Sequence, residues 1–88
     1  MTTAFDGKPL ELSSHPRINL RATGEQIRRL RMEAGLSVRE LSRALYLADV
    51  QAVYKCQRGE TAPSLDNLVL LSWLLDVPID KILVVEFK

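Results

Sequence analysis

The segment from Ser37 to Gly59, SVRELSRALYLADVQAVYKCQRG, restricts the fold of this 88-residue chain more than any other feature. Ser37 with Glu40 three residues later is a capping-box pair, which predicts a helix from about Val38 to Leu45. The next four residues, 46–49, form a turn that places Asp49 as the cap of a second helix. Gly59 ends that helix, because glycine adopts the left-handed backbone easily. The pattern therefore predicts two short helices joined by a tight turn.

The second of these helices has one polar face and one apolar face. Gln51, Tyr54, Lys55 and Arg58 recur at the i, i+3, i+4 and i+7 spacing of a single helical side. The opposite side carries Val50, Val53 and Cys56. In the major groove of DNA, glutamine can pair with adenine, and lysine or arginine with guanine. The residue types fit base readout, although a solvated amphipathic helix has the same pattern.

Positive charge is concentrated around this helix pair. Between Arg17 and Glu60 the chain has nine basic and five acidic residues, whereas the remainder has three basic and six acidic residues. The total charge of +1 is uninformative about partners. The local excess of positive charge around the helix pair, however, is what contacts with phosphates require. An arginine-rich helical surface facing only solvent is the alternative interpretation.

The sequence before the helix pair predicts one more helix, from Thr23 to about Gly35. Gln26 occupies the capping-box position relative to Thr23. The inner stripe of this helix is Ile27, Leu30 and Ala34. Residues 18–20 alternate apolar and polar side chains, which is compatible with a short strand. Residues 1–16 have few periodic apolar positions, so we expect a loosely held arm.

The sequence after the helix pair predicts two helices and a short tail. Ser64 caps a fourth helix, Val77-Pro78 ends it, and a last short helix runs from about Ile79 to Leu83. The apolar tail that remains favours β structure. We therefore expect an all-α, compact five-helix domain in residues 23–83, between an N-terminal arm (1–22) and a C-terminal tail (84–88). A short β pairing between arm and tail is compatible with this arrangement.

The fourth helix is apolar on two sides. At 100° per residue, its core face is predicted to be Leu65, Leu68, Val69, Leu71 and Leu75. A second side carries Leu70, Trp73 and Leu74. Large exposed apolar surfaces usually mark contacts, and symmetric dimers are the commonest oligomers. We therefore expect a homodimer interface of Leu70, Trp73, Leu74, Val85 and Phe87. Alternatively, the tail or the 18–20 segment covers this side within one chain.

Several classes of function have no support in the residues. The single cysteine, Cys56, cannot form an internal disulfide, and His15 has no partner residues for a zinc site. We found no nucleophile with a base and an orienting group, and no glycine loop that could hold a phosphate. No apolar run approaches the length of a membrane span. We therefore expect a cytoplasmic protein that is not an enzyme and that has no cofactor, metal, small-molecule substrate or ligand pocket.

Residues 24–83, GEQIRRLRMEAGLSVRELSRALYLADVQAVYKCQRGETAPSLDNLVLLSWLLDVPIDKIL, resemble the Cro/repressor-type helix-turn-helix family of bacterial transcriptional regulators, also called the xenobiotic-response-element family. The resemblance implies a five-helix domain that binds double-stranded operator DNA, usually as a dimer. By position, it implies base contacts for Gln51, Tyr54 and Lys55. It places Arg31, Arg39 and Arg58 near phosphates or in the supporting polar network.

The chain departs from the family pattern at several positions. The family usually has alanine and glycine where this chain has Ser42 and Tyr46, and Val38 replaces a Gln or Glu that often contacts DNA. Cys56-Gln57 stands where Trp-Glu is usual, which implies a smaller core residue and the loss of a carboxylate partner for an arginine on the first helix. A sequence-specific transcriptional regulator is the function that the resemblance implies. The alternative is a protein-interaction module, antitoxin-like or an anti-regulator subunit, that kept the fold without strong DNA binding.

Overall fold

The computed structural model describes residues 3–5, 8–9, 15–47 and 49–87. Within them the chain forms four α-helices: α1 (Leu20–Glu33), α2 (Val38–Ala44), α3 (Val50–Gln57) and α4 (Leu65–Leu75). The predicted fifth helix is wrong, since Ile79–Lys81 makes only a single 3₁₀ turn. The physical reason is the short distance to the next element: Ile82 is fully buried, and the chain must become extended at Val85 to pair with another strand.

In the described part of the chain, four short strands accompany the helices. They are β1 (Thr3–Phe5), β2 (Lys8–Pro9), β3 (Pro16–Ile18) and β4 (Val85–Phe87). Strands β3 and β4 pair antiparallel, with Arg17 opposite Glu86, so the predicted pairing of arm and tail is confirmed. In the predicted arm, β1 and β2 pair antiparallel, while residues 1–2, 6–7 and 10–14 lie outside the described residues.

The start of α1 differs from the prediction. The helix begins at Leu20, and Asn19 rather than Thr23 is its cap, accepting a hydrogen bond from the backbone N–H of Ala22 at 2.9 Å. Thr23 is almost completely buried, and its hydroxyl accepts a hydrogen bond from the N–H of Val84 at 2.9 Å. The hydroxyl that looked like a cap therefore connects α1 to the C-terminal segment. The predicted caps Ser37, Asp49 and Ser64 are confirmed.

All four helices end in the same backbone motif. A left-handed residue follows the last turn, and the next N–H bonds back to a carbonyl five residues earlier, which is the Schellman arrangement. The left-handed residues are Gly35, Tyr46, Gly59 and Asp76, with φ of +74°, +55°, +79° and +55°. The returning bonds are Leu36 to Arg31, Leu47 to Ser42, Glu60 to Lys55 and Val77 to Ser72, all 2.9–3.1 Å. Two of the four positions are therefore not glycine.

The core lies between the four helices. Its buried members are Ile27, Leu30, Leu41, Leu45, Val53, Leu68, Leu71, Leu75 and Ile82. Three residues that the sequence placed in the core are exposed instead: Ala34, Leu65 and Val69. Helix α4 turns the line of Leu68, Leu71 and Leu75 inward, so Val69 (59% exposed) lies toward the opposite side and Leu65 (81%) on the flank between the two sides. The helix is apolar nearly all round, so its sequence defines no unique buried face.

Candidate nucleic-acid interface

Helix α3 is fixed at its start and along its inner side. The Asp49 carboxylate accepts hydrogen bonds from the backbone N–H groups of Gln51 and Ala52, at 2.9 and 3.3 Å. Val53 is 2% exposed, and Val50 and Cys56 are half-buried. The outer side carries the predicted set, Gln51, Tyr54, Lys55 and Arg58, and all four side chains are exposed. The helix therefore presents one continuous polar face to solvent.

Close contact between α1 and α3 fixes the position of this face. A Cβ atom at Gly24 would overlap the backbone carbonyl oxygens of Cys56 and Gln57. These atoms lie at the end of α3, so the two helices approach each other backbone to backbone. Any larger residue at position 24 would push α3 away from α1.

Arg31 on α1 and Gln57 on α3 form a second link between these helices. The Arg31 Nε–H donates to the Gln57 Oε1 at 3.0 Å, and the Nη1 group donates to the carbonyl of Leu36 at 2.7 Å. Gln57 is only 7% exposed. The expected loss of a partner for an arginine on the first helix is therefore wrong, because the amide oxygen accepts the bond in place of a carboxylate.

Helix α2 contributes two cations beside the start of α3. Arg39 and Arg43 line a shallow groove that also contains Asp49 and Val50, and both arginine side chains are exposed. Arg39 makes no hydrogen bond or ion pair with any described residue. Arg39 is one of the predicted phosphate contacts, and the i, i+4 spacing puts Arg43, which the sequence analysis did not include, on the same side of α2.

Arg58 has an acidic partner in the isolated chain. Its Nε–H donates to the Glu60 carboxylate at 2.5 Å, with both side chains about half exposed. The hydrogen bond raises the pKa of Arg58 and lowers the pKa of Glu60. An approaching phosphate would therefore compete with Glu60 for this guanidinium.

Tyr46 is the most exposed aromatic residue described near this face. It is 88% exposed and lies in the turn between α2 and α3, in the left-handed conformation. Bulky residues rarely adopt this conformation, which costs about 1–2 kcal/mol for an L-residue. The hydrogen bonds of the helix end hold it there, from Tyr46 N to Arg43 O at 3.1 Å and from Leu47 N to Ser42 O at 3.0 Å.

The residues predicted for a homodimer interface fall into two groups. Trp73, Phe87 and Val85 are exposed by 79%, 69% and 53%. Leu70 and Leu74 are half-buried and pack against the core. Trp73 shares the outer side of α4 with Val69, which sequence reasoning had placed in the core.

Metal-binding clusters and membrane-spanning helices are both absent from the described residues. No cluster of three or more His, Cys, Asp or Glu side chains there is arranged to hold a metal ion. No helix among these residues is both long enough and apolar enough to cross a membrane.

Comparison with known proteins identifies a matching family and solved structures with a similar fold. The helix-turn-helix family model HTH_3 matches residues 27–82. The restriction-modification controller protein C.AhdI from Aeromonas hydrophila is 31% identical, with a TM-score of 0.65, over 73% of this chain and 96% of that one. The hypothetical transcription factor NHTF from Neisseria is 28% identical, with a TM-score of 0.63, over 75% and 76%. The clp gene regulator ClgR from C. glutamicum, at 22% identity and a TM-score of 0.62 over 70% and 79%, shares the fold. No curated protein sequence matches.

Proposed function

This chain belongs to the Cro/repressor-type helix-turn-helix family of transcriptional regulators, and on that premise we propose that it reads operator DNA with α3 in the major groove. The observation that carries the proposal is the polar face of α3, held rigidly by its cap and by α1. The side chains of Gln51 and Tyr54 make no hydrogen bond with any described residue, so their polar groups are available to bases. Gln51, Tyr54 and Lys55 are the proposed base contacts.

Arginines around this face are the proposed phosphate contacts. Arg39 and Arg43 are exposed beside the start of α3, and Arg58 is exposed at its end. Arg31 has a different role in the proposal, since two of its donor groups bond inside the domain. It supports DNA binding by holding α3 against α1 and by adding charge near the phosphates.

A homodimer would suit this mode of binding, because two-fold proteins match operators with two half-sites. Support for it comes from the exposed Trp73, Val85 and Phe87, with the half-buried Leu70 and Leu74 close to Trp73 on α4. An indole that is 79% exposed gains much apolar burial in a protein contact.

Sedimentation velocity tests the dimer. Trp73→Glu should convert a dimer into a monomer, whereas Leu65→Glu should not, although Leu65 is equally exposed on the same helix. A wild-type protein that is monomeric at high concentration would contradict the dimer while leaving DNA binding open.

A gel-shift series with genomic DNA fragments and then with selected sequences tests DNA reading. Gln51→Ala and Lys55→Ala should reduce discrimination between operator variants, by about 1–3 kcal/mol for a lost bidentate contact. Arg39→Ala should weaken binding to all sequences and reduce the salt slope by about one. Arg29→Ala on α1 removes the same charge from an exposed side chain about 140° around the helix from Gly24, the contact with α3, and serves as the matched control.

The two function classes predict opposite results. A regulator retains some fragment at low salt, and its affinity falls steeply as salt rises. If no fragment is retained at low salt, the regulator proposal fails. The exposed apolar side chains of Trp73, Val85 and Phe87 then favour the protein-interaction module.

A further inference from the structure

A cavity lies directly beneath α3, on the side away from the proposed reading face. Its volume is about 110 Å³, and its walls come from all four helices and from the loop at residues 61–64. No feature of the sequence indicates this cavity. Helix α3 supplies Ala52, Val53 and Cys56, and the core supplies Leu45 and Leu71 among others.

The walls of this cavity are chemically suited to an uncharged apolar molecule. Its deeper lining is aliphatic, and the polar residues around it, Thr61, Ser64 and Asn67, belong to the loop and the start of α4. Ser64 already uses its hydroxyl to accept the N–H of Asn67 at 3.1 Å. Across the described residues, no buried side-chain nitrogen or oxygen lacks a hydrogen-bond partner. Water needs two to four polar partners to be held in such a space, and here it finds few.

The size of the cavity sets the size of the ligand. An apolar protein cavity of roughly 150 Å³ stays dry and accepts benzene, so a volume of about 110 Å³ is in the range of one small ring or a short hydrocarbon chain.

We propose that this cavity is a binding site for a small, uncharged, apolar molecule of the size of a single hydrocarbon ring. Occupancy adds van der Waals contacts to the inner side of α3, which bears the proposed reading face on its outer side. The proposal concerns the cavity alone, so it stands or falls independently of DNA binding.

Cys56 provides a reporter inside the site. It is the single cysteine of the chain, it lines the cavity, and it is half-buried. Burial raises the pKa of its thiol, so alkylation should be slow and should depend on access to the cavity. A ligand in the cavity should slow it further.

The test uses benzene as the probe and pyridine as the matched control. Pyridine has nearly the same shape, but its ring nitrogen would lose its hydrogen bond with water on entering an apolar site. We expect millimolar benzene to slow the alkylation of Cys56 by iodoacetamide several-fold, in a saturable manner. Benzene should also shift the NMR signals of the Val53, Leu45 and Leu71 methyl groups. Pyridine at the same concentration should do neither.

A variant that fills the cavity tests whether benzene acts at this site. Ala52→Leu keeps Cys56 and extends a side chain into the space, so benzene should no longer slow the alkylation or shift the methyl signals. If this variant does not fold, Cys56→Leu replaces it, with the benzene-induced rise in melting temperature as the readout. An absence of any benzene effect on wild type would overturn the proposal, as would an equal effect of pyridine or a full benzene response in the filled variant.

Discussion

Replacing Tyr46 with glycine should stabilise this protein, although it removes an aromatic side chain. Tyr46 occupies the left-handed position that ends α2, where its φ is +55°, and this conformation costs about 1–2 kcal/mol for a residue with a Cβ. The side chain is 88% exposed, so little buried area is lost with it. Glycine also increases the conformational freedom of the unfolded chain, which reduces this gain in stability by about 0.5–1 kcal/mol. The net expectation is a gain of up to about 1.5 kcal/mol.

Two other helix ends provide matched comparisons for this substitution. Asp76 has the same φ of +55°, but aspartate tolerates the left-handed region better, so Asp76→Gly should gain less than Tyr46→Gly. Gly35 has a φ of +74° and open space where a Cβ would lie. Gly35→Ala should therefore destabilise the protein by about 1 kcal/mol through conformation alone.

Urea unfolding at equilibrium measures all three variants. The slope should stay constant while the midpoint rises for Tyr46→Gly and falls for Gly35→Ala. In a domain of this size, 1 kcal/mol corresponds to about 4–8 °C in melting temperature. A lower midpoint for Tyr46→Gly would refute the reasoning, since it would mean that the tyrosine side chain contributes more than its left-handed backbone costs.

Other substitutions test the contacts that hold α3 and α2. Gly24→Ala should destabilise the fold by about 1–3 kcal/mol, because the new Cβ overlaps the end of α3; a melting temperature equal to that of wild type would contradict this close approach. Gln57→Ala should lose about 1–3 kcal/mol by leaving the Arg31 Nε–H without its acceptor, while Gln57→Glu, which keeps an acceptor, should retain most of the stability in the same urea experiment. Hydrogen bonds with Ser37 lower the pKa of Glu40, so its stabilisation is present above the ordinary value of 4.5 and is lost as the pH falls through the lowered folded value. Glu40→Gln should therefore flatten the decline of the urea midpoint below about pH 4.5, and an unchanged pH profile would exclude this contribution.

Local signals made the helix pair predictable. The capping box of Ser37 with Glu40 and the cap at Asp49 depend on residues two or three positions away, so the sequence contains both partners. The same holds for the amphipathic face of α3, whose exposed side follows from helical spacing. Gly35 and Gly59 end their helices for a reason that belongs to glycine itself.

Long-range contacts made other features unpredictable. The hydroxyl of Thr23 looked like a helix cap, but it bonds to Val84, 61 residues away. In the sequence, Gln57 in place of a carboxylate suggested that an arginine on α1 has lost its partner. In the structure, the Gln57 side chain accepts a hydrogen bond from Arg31 across the α1–α3 contact. Neither outcome can be derived from spacing, because each depends on how two distant segments pack.

By itself, the sequence determined the two-helix unit, the composition of the polar face on α3, and the resemblance that the family match then confirmed. Only the tertiary structure decided which side of α4 is buried, since Leu65, Val69 and Trp73 are apolar and yet exposed. It also decided that a cavity lies beneath α3. The physical reason is that caps and periodicity act within a few residues, whereas burial and empty volume are properties of several elements packed together.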